Sequence, residues 1–136
     1  MSILDVFRKK DDVADQKRAP YLVQTELTPY RLYANKTSSV TLIVKIKNLV
    51  KEPLLTSFMV ELPAAISFDE MGMAKSKEFK LGDLNSGEEK ELRIPLFGGM
   101  KTEKGEYTIR LKTTAHFRDY DHVVNQMRQN KSIGVA

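Results

Sequence analysis

The chain has 136 residues, of which 41% are hydrophobic and 29% are charged, and its net charge at pH 7 is +4. This length suits one domain, and the composition is typical of folded globular proteins rather than of disordered chains. The absence of cysteine excludes disulfides, thiolate nucleophiles, iron–sulfur clusters and cysteine-based zinc sites. No run of residues approaches the roughly 18 apolar residues that a membrane-spanning helix needs. We therefore expect a single-domain protein located in the cytoplasm.

The charged residues are mixed in sign along the chain, as in KEPLLTSFMVE and SGEEKELR. Binding to a nucleic acid depends on clustered lysine and arginine that neutralise phosphates, and this chain has no such stripe. The pattern predicts an ordinary solvated surface and argues against DNA or RNA as a partner.

Residues 1–20 are predicted to form a polar and amphipathic tail, separate from a domain that spans residues 21–136. On a helix the apolar side chains of this tail share one side and are followed by three basic residues. The residues concerned are Ile3, Leu4, Phe7, Arg8, Lys9 and Lys10. The segment resembles the apolar and basic start of some bacterial division-site proteins that touch the inner membrane. It predicts contact with an anionic membrane surface or a partner, although a start that is disordered or docks on its own domain is also compatible with the pattern.

From Tyr21 onwards the hydrophobic period is two, which predicts strands. Tyr21 to Leu27 forms the first, and Tyr30 to Tyr33 can resume it as an edge segment after Pro29. Ser39 to Asn48 is the clearest strand. Leu54 to Leu62 follows, and we expect it to pair with Ser39 to Asn48 across the LVKEP turn.

The second half continues this pattern after an aperiodic stretch at 64–76, where Ile66 and Phe68 can anchor a loop. Short strands at 77–81 and 90–96 flank Asn-Ser-Gly, which is a hairpin-like signature. Another strand follows Gly105. The last part is predicted to be a loop or single turn, with a brief helix as the alternative, and then a final strand at 132–135.

About seven short alternating strands, with frequent Gly, Pro and Asn breaks, predict an all-β fold in which two antiparallel sheets pack face to face. A β-barrel is the main competing architecture. The segment from Lys104 to Leu111, KGEYTIRL, resembles the G-x-Y strand of immunoglobulin-like modules. In those modules the tyrosine hydroxyl bonds back to upstream backbone at a sheet corner. The resemblance therefore implies an immunoglobulin-like antiparallel β-sandwich and assigns that bond to Tyr107.

The order of breaks across residues 21–136 is also similar to bacterial and archaeal cell-adhesion-related or enzyme-accessory sandwich modules. The motifs that carry this likeness are Leu81-Gly-Asp-Leu84, Gly87-Glu, Ile94-Pro95 and Gly105-x-Tyr107. Modules of this kind share an architecture without sharing a ligand, so the resemblance bears on the fold and not on a specific function.

No catalytic, cofactor or metal site is predicted. The chain lacks a G-x-S-x-G elbow and a phosphate-binding glycine loop. One local group of metal-ligating residue types occurs, but its members split across two faces of an extended segment, which predicts a polar loop instead. These residues are His116, Asp119, Asp121 and His122.

We therefore predict a non-catalytic module that binds another protein, with a peripheral membrane adaptor anchored by the tail as the alternative. Open sheets present unpaired backbone groups at their edges, which other strands can join. The predicted contacts are Tyr30 and Tyr33 at an edge, and Met71 and Met73 in the aperiodic loop, where flexible thioethers suit an adaptable surface.

Overall fold

The computed structural model describes residues 19–136, which form eight strands. Their bounds are β1 Tyr21–Thr28, β2 Arg31–Leu32, β3 Ser38–Asn48, β4 Leu54–Glu61, β5 Ser76–Leu84, β6 Glu89–Gly98, β7 Gly105–His116 and β8 Val123–Val135. One sheet has the order β1-β3-β6 and the other has the order β2-β8-β7-β4-β5. The described residues include no helix long and apolar enough to cross a membrane. The predicted all-β sandwich is confirmed, with eight strands where about seven were expected.

The core lies between the two sheets and is built from the inward faces of the alternating strands. In β3 the side chains of Val40, Leu42, Val44 and Ile46 are buried, while Lys45 is exposed. The other sheet supplies a second buried layer, which includes Phe58, Val60, Leu84, Ile109, Leu111 and Ile133. Period-two alternation therefore identified the core faces correctly.

Two polar contacts join the sheets across this core. The Tyr21 hydroxyl of β1 lies 2.7 Å from the Thr56 Oγ1 atom of β4, and Thr56 Oγ1 donates to the Leu54 carbonyl oxygen at 2.9 Å. Asn48 of β3 donates from Nδ2 to the Leu84 carbonyl oxygen at 2.8 Å. Because these buried groups have partners, they join the sheets without the cost of unpaired polar atoms.

The tyrosine contact that the immunoglobulin-like resemblance implied is present. The Tyr107 hydroxyl donates to the backbone carbonyl oxygen of Glu103 at 2.7 Å. Tyr107 is partly buried against the core, so this bond holds the loop before β7 against the start of that strand.

Two predicted strand pairings are wrong. β4 does not pair with β3 across the LVKEP turn, because the chain crosses there from the three-stranded to the five-stranded sheet. The turn at 85–88 likewise connects β5 in one sheet with β6 in the other, so it does not close a hairpin. Alternation shows which face of a strand is buried but not which strand lies beside it.

The prediction for the C-terminal part is also corrected. A tight turn at 117–122 connects β7 to β8, and β8 begins at Val123, where a strand confined to 132–135 was expected. β8 pairs with β7 from His116↔Val123 to Gly105↔Val135. Its polar residues lie on both faces, so the strand is specified by backbone pairing with β7 rather than by its own alternation.

The strand registers define two ends of the sandwich. The β7–β8 turn, the loop at 49–53 and the start of β1 share one end, because Tyr21 pairs with Asn48 and Leu55 pairs with His116. We call this the turn end. The C-terminus and the loops at 62–75 and 99–104 lie at the opposite end, which we call the C-terminal end.

Candidate functional site

The outer edge of β8 is the longest free strand edge among residues 19–136. β8 has 13 residues and pairs with β7 on one side. On its other side β8 pairs with β2 at Gly134 and Val135 only, and no other described strand pairs with that side of β8. The backbone from Val123 to Ser132 therefore presents unpaired N–H and C=O groups along that side.

The side chains near the start of this edge are apolar and exposed. Phe117, Val123 and Val124 are 56%, 53% and 66% exposed. Val124 is the extra residue of an irregularity, since Ala115 pairs with Asn125 while His116 pairs with Val123. A strand edge that is unpaired and carries exposed valines is one that folded proteins usually protect.

Farther along β8 the edge is basic. Arg128 and Lys131 are its charged residues, and no acidic residue occurs from Val123 to Ala136. Arg128 lies on the outer face of the five-stranded sheet, directly opposite Lys112 of β7. Arg110 lies two residues from Lys112 on the same face and opposite Glu61 of β4.

A cleft of about 360 Å³ opens on this outer face. Three of its lining residues are cations and one is an acid. The lining residues are Met59, Glu61, Arg110, Leu111, Lys112, Arg128, Gln129 and Asn130. Gln129 pairs with buried Leu111, and its Oε1 atom is buried without a hydrogen-bond partner in the described part of the chain.

Asp119 organises the turn that leads into β8. Its Oδ1 atom lies 2.7 Å from His122 Nδ1 and accepts the Asp121 amide at 3.0 Å. The hydrogen bond with His122, followed by that with the Asp121 amide, holds the pKa of Asp119 below its ordinary value of 3.8. The Phe117 amide donates to the His122 carbonyl oxygen at 2.8 Å. These bonds fix the turn that presents Phe117.

Under this turn lies a buried contact that the sequence did not predict. Ser57 Oγ and His116 Nε2 are 2.7 Å apart, and both residues are buried. Tyr120 covers His116 edge-on, with the ring centroids 5.1 Å apart, and its hydroxyl accepts the Gly82 amide at 2.9 Å. His116 Nδ1 is buried with no partner among residues 19–136. Because the ring of Tyr120 covers the imidazole and the Ser57 side chain is buried, this pair packs inside the hairpin.

The two histidines of the predicted polar loop therefore have different surroundings. His116 faces Ser57 inside the hairpin, whereas His122 is exposed and paired with Asp119. Within residues 19–136, no three side chains of the His, Asp or Glu type converge as metal ligands.

Tyr30 and Tyr33 flank β2 and are both exposed. The Arg31 guanidinium carbon lies 5.1 Å from the Tyr30 ring centroid and 5.8 Å from that of Tyr33. Tyr30 shares a shallow cleft with Gly134 at the end of β8. The structure thus places Tyr30 and Tyr33 beside the end of β8 that β2 covers, and not along the unpaired stretch from Val123 to Ser132.

Met71 and Met73 are exposed in the loop between β4 and β5, at the C-terminal end. Asp69 holds this loop, since its carboxylate accepts the Met73 amide at 2.9 Å and the Ala74 amide at 3.2 Å. These backbone hydrogen bonds, that from Met73 first, lower the pKa of Asp69. Met71 lines a separate cleft of about 330 Å³ with Met100, so this predicted contact is not part of the β8 edge.

The tail residues Ile3 to Lys10 lie outside the described part of the chain.

The comparisons with known proteins concern the fold. No protein-family model matches the sequence, and no curated protein matches it either. Among solved structures, the chain is similar to native alpha-2-macroglobulin from Escherichia coli, spanning domain MG7 to the C-terminus, with a TM-score of 0.60 and 18% identity over 85% of this chain and 16% of that one. It is also similar to a CARDB domain from Pyrococcus furiosus, determined in complex with di-metal ions, with a TM-score of 0.52 and 19% identity. That match covers 85% of this chain and 87% of the CARDB domain.

These similarities confirm the predicted fold-level likeness to immunoglobulin-like and cell-adhesion-related modules. At identities below 20% they show the shared architecture alone. The chain spans about a sixth of the alpha-2-macroglobulin structure but most of the CARDB domain.

Proposed function

We propose that this protein is a non-catalytic binding module that takes an extended segment of another protein on the free edge of β8. The observation that carries the proposal is the length of β8 on the side where only Gly134 and Val135 have a partner strand. A segment that joins this edge gains main-chain hydrogen bonds along Val123 to Ser132, and its alternate side chains meet those of β8.

The other edges of the described sheets are less suited to this role. The outer side of β6 is bridged by Ser67 at Phe97, and Pro95 lacks an amide hydrogen. β5 has an irregular register beside Gly82, which twists the edge away from a straight partner. β1 is shorter, with 8 residues. Among the described edges, β8 offers the longest stretch for a partner.

The first experiment titrates the full chain, labelled with ¹⁵N, with two peptides of about ten residues. One alternates valine with glutamate and the other alternates valine with glutamine. We expect at least one of them to shift the amide signals of Val123 to Ser132. It should also slow the solvent exchange of those amides that point away from β7, since these become hydrogen-bonded to the peptide.

A matched peptide with N-methyl groups on alternate residues serves as the control, because it has the same side chains but fewer backbone donors. It should bind more weakly than its parent. If neither parent peptide perturbs β8, or if the shifts cluster at another edge or at the Met71 loop, strand addition at β8 is refuted.

A further inference from the structure

We infer that the segment bound by β8 is acidic and places a carboxylate beside Arg128 on the outer face of the sheet. This inference rests on the proposed function and specifies the chemistry of the partner. Lys112 and Arg128 stand directly opposite each other on β7 and β8.

Two like charges in directly opposite positions destabilise a sheet. Arg110 on the same face has an acid opposite it, since its Nε atom lies 3.9 Å from Glu61 Oε1. On the β4 side, Lys112 lies opposite Met59. The next residue across the sheet is the acid Glu78 of β5, which lies opposite Met59 and one strand farther from Lys112. Glu61 is diagonal to Lys112 but lies opposite Arg110, so no acid stands directly opposite Lys112 or Arg128 in the described sheet. A strand added beyond β8 can place an acid opposite Arg128.

The geometry allows a partner to supply that charge. Neighbouring strands lie roughly 4.8 Å apart, and directly opposite side chains are within contact distance. A glutamate or aspartate opposite Arg128 would meet an exposed guanidinium, a group suited to binding a carboxylate through two parallel hydrogen bonds. The adjoining cleft of about 360 Å³ gives room for this side chain.

A second copy of this chain fits the edge less well than an acidic segment. Two β8 strands would present Arg128 and Lys131 only to neutral or basic residues in every register, because Val123 to Ala136 contains no acid. A nucleic acid also fits less well, since Glu61 and Glu78 interrupt the cations across this face and phosphate backbones favour continuous basic surfaces.

The test compares the glutamate and glutamine peptides on the intact chain and on two charge-reversal variants. We expect the glutamate peptide to bind at least about tenfold more tightly at low salt, and this preference to shrink as salt is added. Arg128→Glu should reverse the preference. Lys51→Glu changes the charge by the same amount in an exposed loop at 49–53 and should leave it unchanged.

The outcomes separate this inference from the proposed function. Equal binding of both peptides at β8 would overturn the acidic partner while leaving strand addition intact, and absence of binding at β8 would overturn both. If a ten-nucleotide oligo(dT) perturbs the same amides and binds more tightly than the glutamate peptide, the cations are assigned to a nucleic acid. Concentration-dependent dimerisation that broadens the β8 amides would assign the edge to a second copy, and either result would overturn the inference.

Discussion

The buried hydroxyl groups of Tyr21 and Thr56 link the two sheets inside the apolar core. Thr56 Oγ1 donates its one hydrogen to the Leu54 carbonyl oxygen, so the Tyr21 hydroxyl must be the donor in its own contact with Thr56. Burial of the Tyr21 side chain raises the pKa of its hydroxyl above the ordinary value of 10.0, and the Thr56 hydrogen bond opposes this only in part. The neutral form of Tyr21 is therefore the one that the folded protein favours.

This arrangement predicts a loss of stability in alkali. Because the folded-state pKa of Tyr21 is raised, its contribution to stability is present below about pH 10 and is lost as the pH rises through the folded-state value. We expect Tyr21→Phe to reduce the free energy of unfolding by about 1 kcal/mol at neutral pH, and to make the protein less sensitive to pH as the pH rises above about 10. Urea unfolding at neutral pH and at a series of pH values above about 10 measures both effects.

Tyr30→Phe is the matched control, because Tyr30 is exposed and its hydroxyl makes no contact across the core. It should leave both the neutral stability and the alkaline loss unchanged. If Tyr21→Phe and the unaltered protein lose the same free energy of unfolding in alkali, the assignment of this titration to Tyr21 is contradicted.

At the scale of elements, the β7–β8 hairpin depends on a residue of its turn. Tyr120 folds back over the outer face, where it covers His116, accepts the Gly82 amide and lies 5.2 Å from Lys80 Nζ. The turn is thereby attached to β5 as well as to β7. This attachment fixes the direction in which β8 leaves the turn.

We predict that Tyr120→Ala reduces the free energy of unfolding by about 1–3 kcal/mol, because it uncovers His116 and removes the partner of the Gly82 amide. Tyr120→Phe keeps the ring and loses only the hydroxyl, so it should cost about 1 kcal/mol. Chemical denaturation measures the two costs. Equal stability of the alanine variant and the unaltered protein would show that the contact does not support the hairpin.

The alternating strands were predictable from the sequence because half of their residues face the core. β1, β3, β4, β6 and β7 show this pattern, and Gly105-x-Tyr107 marked the corner that the Glu103 bond closes. Which strands pair with each other was harder to predict, since a five-residue turn such as LVKEP suits a hairpin as well as a crossing between sheets. Asn48 resolves that choice only through its bond to Leu84, which is distant in sequence.

The candidate site was largely missed for a related reason. β8 carries Asn125, Gln126, Gln129 and Asn130, which have weak strand preference and give no alternation, so its strand character comes from pairing with β7. One sequence signal pointed to it: after Asp121 the chain contains basic residues and no acids. That signal indicates a charge preference but cannot reveal that the strand lies at an edge.

At the scale of the whole molecule, the described chain begins at the turn end. The Leu49 amide donates to the Pro20 carbonyl oxygen at 2.8 Å, so the first described residues lie near exposed Leu49, at the end that also carries Phe117.

The membrane prediction is tested by sedimentation with anionic vesicles. We expect the full chain to co-sediment at low salt, and Phe7→Glu to abolish this by placing a charge in the apolar side of the tail. Phe117→Glu is the comparison at the turn end, and it should weaken sedimentation only if that end also touches the lipid. Unchanged sedimentation of Phe7→Glu would refute anchoring by the tail.

The positions of the first and last strands also set how the domain responds to mechanical force. β1 enters at the turn end and β8 finishes at the C-terminal end, so tension between residues 19 and 136 runs parallel to both strands. The hydrogen bonds of antiparallel pairs lie perpendicular to the strands, and β1 pairs with β3 from Tyr21↔Asn48 to Thr28↔Thr41. Such tension shears all of these bonds together, whereas tension between two loops at one end would peel them apart one after another.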